Sequence, residues 1–385
     1  MVVIGAGLAG LVVAGRLAER GVSVVVVDRK ADPSAHVHTT GIFVRKTLED
    51  FDLPEDCLGP VVRDVRLMSP AGRGMTITSR HDEFRVGRMS RLYRRMLGEC
   101  QRAGVVVLAG TRYLSSRPVA CGSVVRLDHG GHQIDITSRL LIGADGARSR
   151  VARDLGLDQN TRWIVGVEDV LPVSSAGPRR GGTNPCFECH LDPRVAPGYL
   201  AWVVDDGEEV HVGVGGYASR FNAASALEEF RRRVGINAEG GGRRERRGGL
   251  IPVNGVLGRI GCPRGLLVGD AAGAVSPLTA GGLDPAIRLS VHAAGVAAEL
   301  LAGNDRALAR YRGEVFGARF ISRRWMRAGL DAVSSVVAME AACWCMRTPV
   351  GRVVARHVFF GRGGSFPEPD RAIAAANRRS VPVYV

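Results

Sequence analysis

The chain has 385 residues, of which 45% are hydrophobic and 23% charged. That excludes a single small domain and a disordered chain, and two interleaved domains around ordinary cores are expected. Formal net charge is +14, carried almost wholly by arginine, since Lys30 and Lys46 are the only lysines among 52 basic residues. A field of that sign favours anionic partners: dinucleotides, acidic lipid surfaces or nucleic acid. Nucleic acid is not expected, because its binders interleave basic stripes with aromatics. The densest run, Arg243-Arg244-Glu245-Arg246-Arg247, instead lies between glycine runs with no aromatic in it, and reads as a solvated loop. Eight scattered cysteines in so long a chain are no disulfide framework. The first strand begins at Val2, leaving no room for a signal peptide, and no uncharged apolar run is long enough to span a bilayer. A cytoplasmic setting is expected, with peripheral attachment to the inner face of a membrane left open.

Val2-Val3-Ile4 predicts a short strand, and Leu8 to Arg20 a helix that Gly21 stops. The β-branched run Val24 to Val27 predicts a strand buried on both faces, ending at Asp28. Val61 to Ser79 reads as a strand pair with a turn at Pro70-Ala71-Gly72. Arg88 to Ala103 follows as an amphipathic helix and Val105 to Leu108 as a strand. Val124 to Leu127 and Ile134 to Thr137 pair as a hairpin, and Leu140-Leu141-Ile142 is a buried strand. From about 157 to 250 alternation dominates: Trp163 to Val170, Cys186 to His190, Tyr199 to Val204 and Val210 to Val214 predict an antiparallel sheet with one covered face. A helix is expected over Ala223 to Arg233, a third buried strand at Leu266-Leu267-Val268, and mostly helix from Gly282 onward, with a basic tail.

Three segments carry nucleotide chemistry. Gly5, Gly7 and Gly10 follow a strand and open a helix; the first permits a tight turn, the second lets backbone approach a pyrophosphate, the third lets helix pack on strand. Asp28, at the end of the next strand, is placed to accept from an adenosine ribose, with Arg29 beside it. Gly143-Ala144-Asp145-Gly146 again runs from strand into turn, where Asp145 bonds ribityl or ribose hydroxyls or caps the turn, and Arg148 and Arg153 add charge for phosphates. Gly269-Asp270 ends the third strand, with Asp270 placed to hold a ribityl hydroxyl. Pro277 to Gly282, including Gly281, forms an uncharged helix entry whose dipole would stabilise negative charge on a flavin ring. In this order the three make FAD the expected cofactor. No metal is expected.

At these residues the chain resembles the FAD-binding superfamily of para-hydroxybenzoate-hydroxylase fold, over roughly residues 1–300. Arg88 resembles that family's flavin-contacting arginine at the head of its helix. Gly269-Asp270-Ala271-Ala272-Gly273, continuing to Thr279, is similar to the geranylgeranyl reductase branch; hydroxylases tend to carry a histidine where Gly273 stands. Pro197-Gly198-Tyr199-Leu200-Ala201-Trp202, followed by Val212-Gly213-Val214-Gly215, also resembles that branch's substrate sheet. There are departures. Archaeal reductases of this branch carry a cysteine–glycine segment after the second strand, where this chain reads His36-Val37-His38-Thr39-Thr40-Gly41. After Thr279 the chain has Ala280-Gly281-Gly282-Leu283-Asp284-Pro285 instead of the usual Gly-x-Gly-Ile.

The resemblance implies a Rossmann-like α/β FAD domain (1–60, 85–156 and 251–300), an interleaved antiparallel substrate sheet (61–84 and 157–250) and a helical C-terminal region (301–385). It implies an FAD-dependent reductase, fed by NAD(P)H or another donor, that passes hydride to a carbon–carbon double bond of a hydrophobic substrate; a single-component monooxygenase is the alternative. His38 and Glu168 are the candidate proton donors. Tyr199 and Trp202 are expected to line the substrate pocket. Cys186-Phe187-Glu188-Cys189-His190 spells a haem-attachment pattern, but strand alternation puts the two cysteines on opposite faces and argues against haem or zinc. Val333, Val336, Val337, Met339 and Trp344, bracketed by Arg323, Arg324, Arg327 and Arg347, predict one helix with an apolar side suited to an anionic membrane. Oligomeric state carries no signal.

Overall fold

A computed structural model describes residues 1–175, 185–236, 244–317 and 320–361. Six short strands form one sheet in the order Gly261–Cys262, Gly265–Leu267, Leu141–Gly143, Val2–Ile4, Val25–Val27 and Val106–Leu108. All pairs are parallel except the first, a hairpin. The central strands are covered on both faces, which is why their residues are continuous apolar runs without alternation. Helix Leu8–Ala18 packs between helices Met89–Arg102 and Leu283–Leu301. Gly10 makes the close approach possible, since a Cβ there would overlap the Gly5 carbonyl oxygen.

The seven-stranded sheet runs Glu245–Pro252, Trp163–Pro172, Glu209–Gly216, Ala201–Asp205, Cys186–His190, Asp64–Met68 and Gly74–Thr78. Only Cys186–His190 with Asp64–Met68 is parallel. One face packs Leu171, Val210, Val212 and Val214 against Leu227, Phe230 and Val234 of helix Ala223–Val234. Period-two alternation then sends Gly166, Glu168, Trp202, His211, Gly213 and Gly215 to the opposite face. Trp202 lies opposite Gly213 in the register, and any Cβ at 213 would overlap its indole. Gly215 makes the same room for Tyr199. The glycines of this signature are spaces for two rings.

Three expectations change. The arginine run is no loop: residues 245–252 form an edge strand, where Arg246 donates to the fully buried Asp169 at 2.9 Å and Arg247 donates to Glu245 at 2.9 Å. Arg231 pairs with the same Asp169 at 3.1 Å, so partners from a helix and a strand recruit the charges that sequence alone assigned to solvent. Arg243 lies outside the described residues, as does the basic tail beyond 361. The expected helix around 333–347 is present but shorter, Val336–Met346, which leaves Val333 in the break after Ile321–Ala332, and Pro349–Phe360 follows it. Arg327 faces inward, 2% exposed, over the Tyr217 ring. Thr111–Val119 is a strand that joins the expected hairpin into a three-stranded sheet, and Ile42–Val44, Leu58–Val62 and Phe84–Gly87 form another.

Candidate active site

The strand–turn segments meet at one cavity of about 1490 Å³, between the parallel sheet and the glycine-lined face of the seven-stranded sheet. Gly5, Gly7, Asp28, Arg29, Asp145, Gly146, Gly269, Asp270, Gly281 and Gly282 all line it. So do His38, Glu168, Tyr199 and Trp202. Gly5 adopts φ +104°, which only glycine holds without strain, and a Cβ at Gly7 would meet nothing within 4 Å. Two helix N-termini open here, one after Gly7 and the other after Gly282, and neither N-cap residue has a side-chain cap bond, so their positive dipole ends suit an anionic ligand.

The three aspartates differ. Asp28 accepts from the Ala6 amide at 2.7 Å and the Lys30 amide at 2.8 Å, bracing the glycine turn from the next strand. Asp145 accepts from Ser149 Oγ at 2.6 Å and the Arg150 amide at 2.7 Å, so its carboxylate caps the following helix; burial holds its pKa above the usual range. Asp270 is different: no hydrogen bond reaches its carboxylate among the described residues, and burial pushes it up to about 6. A half-buried acceptor without a partner, lining the cavity, is the group a ribityl hydroxyl would satisfy. The raised pKa means that Asp270 costs the ligand-free fold stability as pH rises from about 4 to about 6 and above. Asp270→Asn is therefore expected to stabilise the ligand-free protein above pH 6.5 by about 3 kcal/mol, with little gain near pH 4. The same variant is expected to weaken FAD roughly tenfold or more. Urea unfolding at both pH values and flavin titration check the pair; equal stabilisation at both pH values would refute it.

Arg88 does not line the cavity. It heads helix Met89–Arg102 as expected, but its guanidinium turns to Glu208 Oε1 at 3.0 Å and the Asp206 carbonyl at 3.3 Å, anchoring the tip of the substrate sheet. Pro277 stands behind the lining, against Gly255, and Gly10 serves the helix–strand approach. Arg148 lines the cavity and stacks on Trp163, whereas Arg153 points outward to Asp154. Tyr199 donates to the Thr279 carbonyl at 2.6 Å, tying the substrate sheet to the loop before Gly281.

The two candidate acids sit unequally. Burial, then Lys30, Arg29 and Arg247, lower the pKa of His38, so its neutral form is favoured. Glu168 is 4% exposed and accepts from Thr40 Oγ1 at 2.7 Å. Burial alone would raise its pKa, but His211, Thr40 and Arg247 outweigh burial and hold it below the usual range. His211 Nδ1 lies 3.7 Å from Glu168 Oε2, an ion-pair distance beyond hydrogen-bond reach. Sequence alone gives no role to His211 and Tyr93, places Thr40 only in a turn beside His38, and puts Arg247 in a solvated loop. Tyr93 Oη accepts from the Leu8 amide at 3.0 Å, and burial raises its pKa to about 12. Period-two alternation through the 209–216 strand was the available signal for His211.

Fold and site together define a dinucleotide-binding flavoprotein oxidoreductase. The FAD binding domain model matches residues 1–179. Digeranylgeranylglycerophospholipid reductase of Methanothrix thermoacetophila is 30% identical over 312 residues, 79% of each chain. Digeranylgeranylglycerophospholipid reductase 1 of Methanococcoides burtonii is 29% identical over 313 residues, covering 79% of this chain and 76% of its own. Among solved structures, a geranylgeranyl bacteriochlorophyll reductase-like protein of Thermoplasma acidophilum superposes with TM-score 0.79 at 19% identity, over 94% of this chain and 96% of that one. Para-nitrophenol 4-monooxygenase of Pseudomonas putida superposes with TM-score 0.67 at 18% identity, over 98% and 96%, and shares the fold. The chain belongs to the geranylgeranyl reductase-like family of FAD-dependent oxidoreductases.

Proposed function

We propose that this oxidoreductase reduces carbon–carbon double bonds in a long apolar chain. The carrying observation is the cavity's extent. Past the glycine loops that would take FAD, the same cavity continues into apolar walls of Leu67, Phe187, Leu200, Trp202, Met346 and Phe359. The nucleotide end fits FAD: the open backbone at Gly7 and the positive end of the first helix suit the pyrophosphate, Asp28 the adenosine ribose, Asp270 the ribityl chain, and the Gly281-Gly282 helix entry the ring. FAD, once reduced by a donor such as NAD(P)H, supplies hydride. The protein's own residues close water out with the apolar walls, hold the chain against Tyr199 and Trp202, and pass a proton through Glu168, whose carboxylate is ionised at rest. His38, held neutral, is the weaker donor.

Digeranylgeranylglycerophospholipid, the substrate in the relatives' names, is the probe. Protein carrying reduced flavin is expected to be reoxidised by it under strict anaerobiosis, with a hydrogen pair added per double bond by mass spectrometry. An absolute requirement for oxygen would instead identify a monooxygenase.

No helix among the described residues is long and apolar enough to cross a membrane. The C-terminal helices nonetheless expose Trp325 (76%), Val337 (80%), Trp344 (65%) and Val350 (74%), close to the exposed Arg324, Arg352 and Arg356. Apolar side chains set among arginines suit an anionic lipid surface, and the cavity wall reaches Met339 and Val358 of the same helices. Co-sedimentation with vesicles containing phosphatidylglycerol is expected, weakened by salt and by the Trp325→Ala/Trp344→Ala pair. Equal binding to neutral vesicles, unchanged in the double variant, would end this reading.

A further inference from the structure

We propose that His211 is a positioning residue that reloads Glu168 with protons, along a buried track from the Asp206–Glu209 turn to Thr40 at the cavity wall. The inference rests on the reductase reading and deepens it. Glu168 and His211 are diagonal neighbours on antiparallel strands, both on the cavity side of the sheet. Thr40 Oγ1 donates to Glu168 Oε2 at 2.7 Å, and the same oxygen stands 3.7 Å from His211 Nδ1. Beyond His211, one ring nitrogen and one carboxylate oxygen each from Asp206 and Glu209 lie within 4.8 Å of one another. Glu209 is partly exposed, so the track begins at solvent and ends at the cavity.

Two observations distinguish this arrangement from inert packing. His211 is 2% exposed, yet neither ring nitrogen has a hydrogen-bond partner among the described residues, and nor does Glu168 Oε1. Buried polar atoms are normally satisfied, so these unpaired nitrogens and this oxygen are spare capacity for exchanging a proton along the track. A buried ion pair with unfilled hydrogen-bonding capacity contributes little to stability, and apolar side chains would fill the sheet face as well. The charges around His211 also favour its protonated form. Glu168 faces it from one strand, Asp206 and Glu209 from the turn and its own strand; the neighbouring cation, Arg247, already donates twice to Glu245. Burial alone would lower the His211 pKa, but Glu168 and Asp206 outweigh burial and raise it.

The chemistry balances. The π bond breaks and two C–H bonds form, one from the hydride of reduced flavin, which is thereby oxidised, and one from a proton delivered at Glu168. Glu168 recovers that proton from His211, and His211 recovers it from solvent past Glu209. Between turnovers the couple holds one proton and no net charge.

The test uses FAD-loaded protein with isotopically labelled histidine. Without turnover, His211 is expected to titrate above the ordinary histidine range by NMR, and to titrate lower in Glu168→Gln. With digeranylgeranylglycerophospholipid in mixed micelles, His211→Gln is expected to slow anaerobic flavin reoxidation more than tenfold and to abolish the alkaline limb of its pH profile. FAD stoichiometry and Tm should stay near the parent's, and imidazole should restore part of the rate in His211→Ala. Glu209→Gln is expected to enlarge the solvent isotope effect. An unchanged pH profile in His211→Gln, or no response of His211 to Glu168→Gln, overturns the relay. So does a stoichiometric divalent cation that is lost in His211→Gln, which would make Asp206, Glu209 and His211 its ligands. If the parent itself is not reoxidised anaerobically, the reductase reading falls instead, and the NMR arm still decides whether the two residues share a proton.

Discussion

Gly7→Val is expected to fold like the parent and to lose FAD. The reason lies in what surrounds the three glycines. A Cβ at Gly10 would overlap the Gly5 carbonyl, and one at Gly5 would overlap the Ala144 carbonyl while φ stays at +104°, so substitutions there disturb the fold itself. Gly7 has φ −74° and ψ 178°, which any residue adopts, and open space where a side chain would go. That space is the cavity at the first helix N-terminus, so a valine would occupy the room through which a pyrophosphate reaches the helix amides. A loss of at least roughly 100-fold in flavin affinity is expected, equivalent to about 2.7 kcal/mol, with urea stability of the ligand-free protein unchanged. Isothermal titration and unfolding curves separate the two effects. A variant that keeps its yellow colour through gel filtration would show that the phosphates lie elsewhere.

Glu168→Gln is the second large effect. Glutamine keeps the shape and still accepts from Thr40, but it cannot take up a proton and hand it on. A positioned general acid contributes about 10²- to 10⁴-fold, so kcat is expected to fall by roughly that factor while flavin stoichiometry and Tm stay near the parent's. The stability consequence has a definite sign. The folded-state pKa of Glu168 is held below its ordinary value, so the charged carboxylate favours the parent fold above the unfolded pKa, and that advantage disappears as pH falls through the folded one. Glu168→Gln should therefore destabilise mildly at neutral pH and not in acid. Rapid-mix measurement of flavin reoxidation, with parallel unfolding at two pH values, checks both parts. Full activity in Glu168→Gln would move the proton source elsewhere, with His38 the next residue to test.

The nucleotide end of the site was legible in the chain because its determinants are local. A β-branched run, a glycine at positive φ, a small residue at a helix–strand crossing and a carboxylate at a strand end each report their own backbone. They needed no knowledge of distant partners, and the segments around Gly5, Asp145 and Asp270 do converge on one cavity. The Tyr199–Trp202 and Gly213–Gly215 signature was readable as a pattern, though its cause is a cross-strand fit of rings into missing side chains. The arginine run and Arg88 were misread for a shared reason. A charged side chain's role depends on which carboxylate arrives beside it, and Asp169 and Glu208 come from elsewhere in the chain.

By itself the sequence determined the βαβ frame, the FAD cofactor and an antiparallel sheet with one covered face, all set by periodicity and backbone sterics within a few residues. Only the tertiary structure decided the proton chemistry. Thr40 and Glu168 are 128 residues apart, and His211 reaches them through strand register. Desolvation and pairing across that distance, rather than residue type, fix which groups hold a proton in the cavity wall.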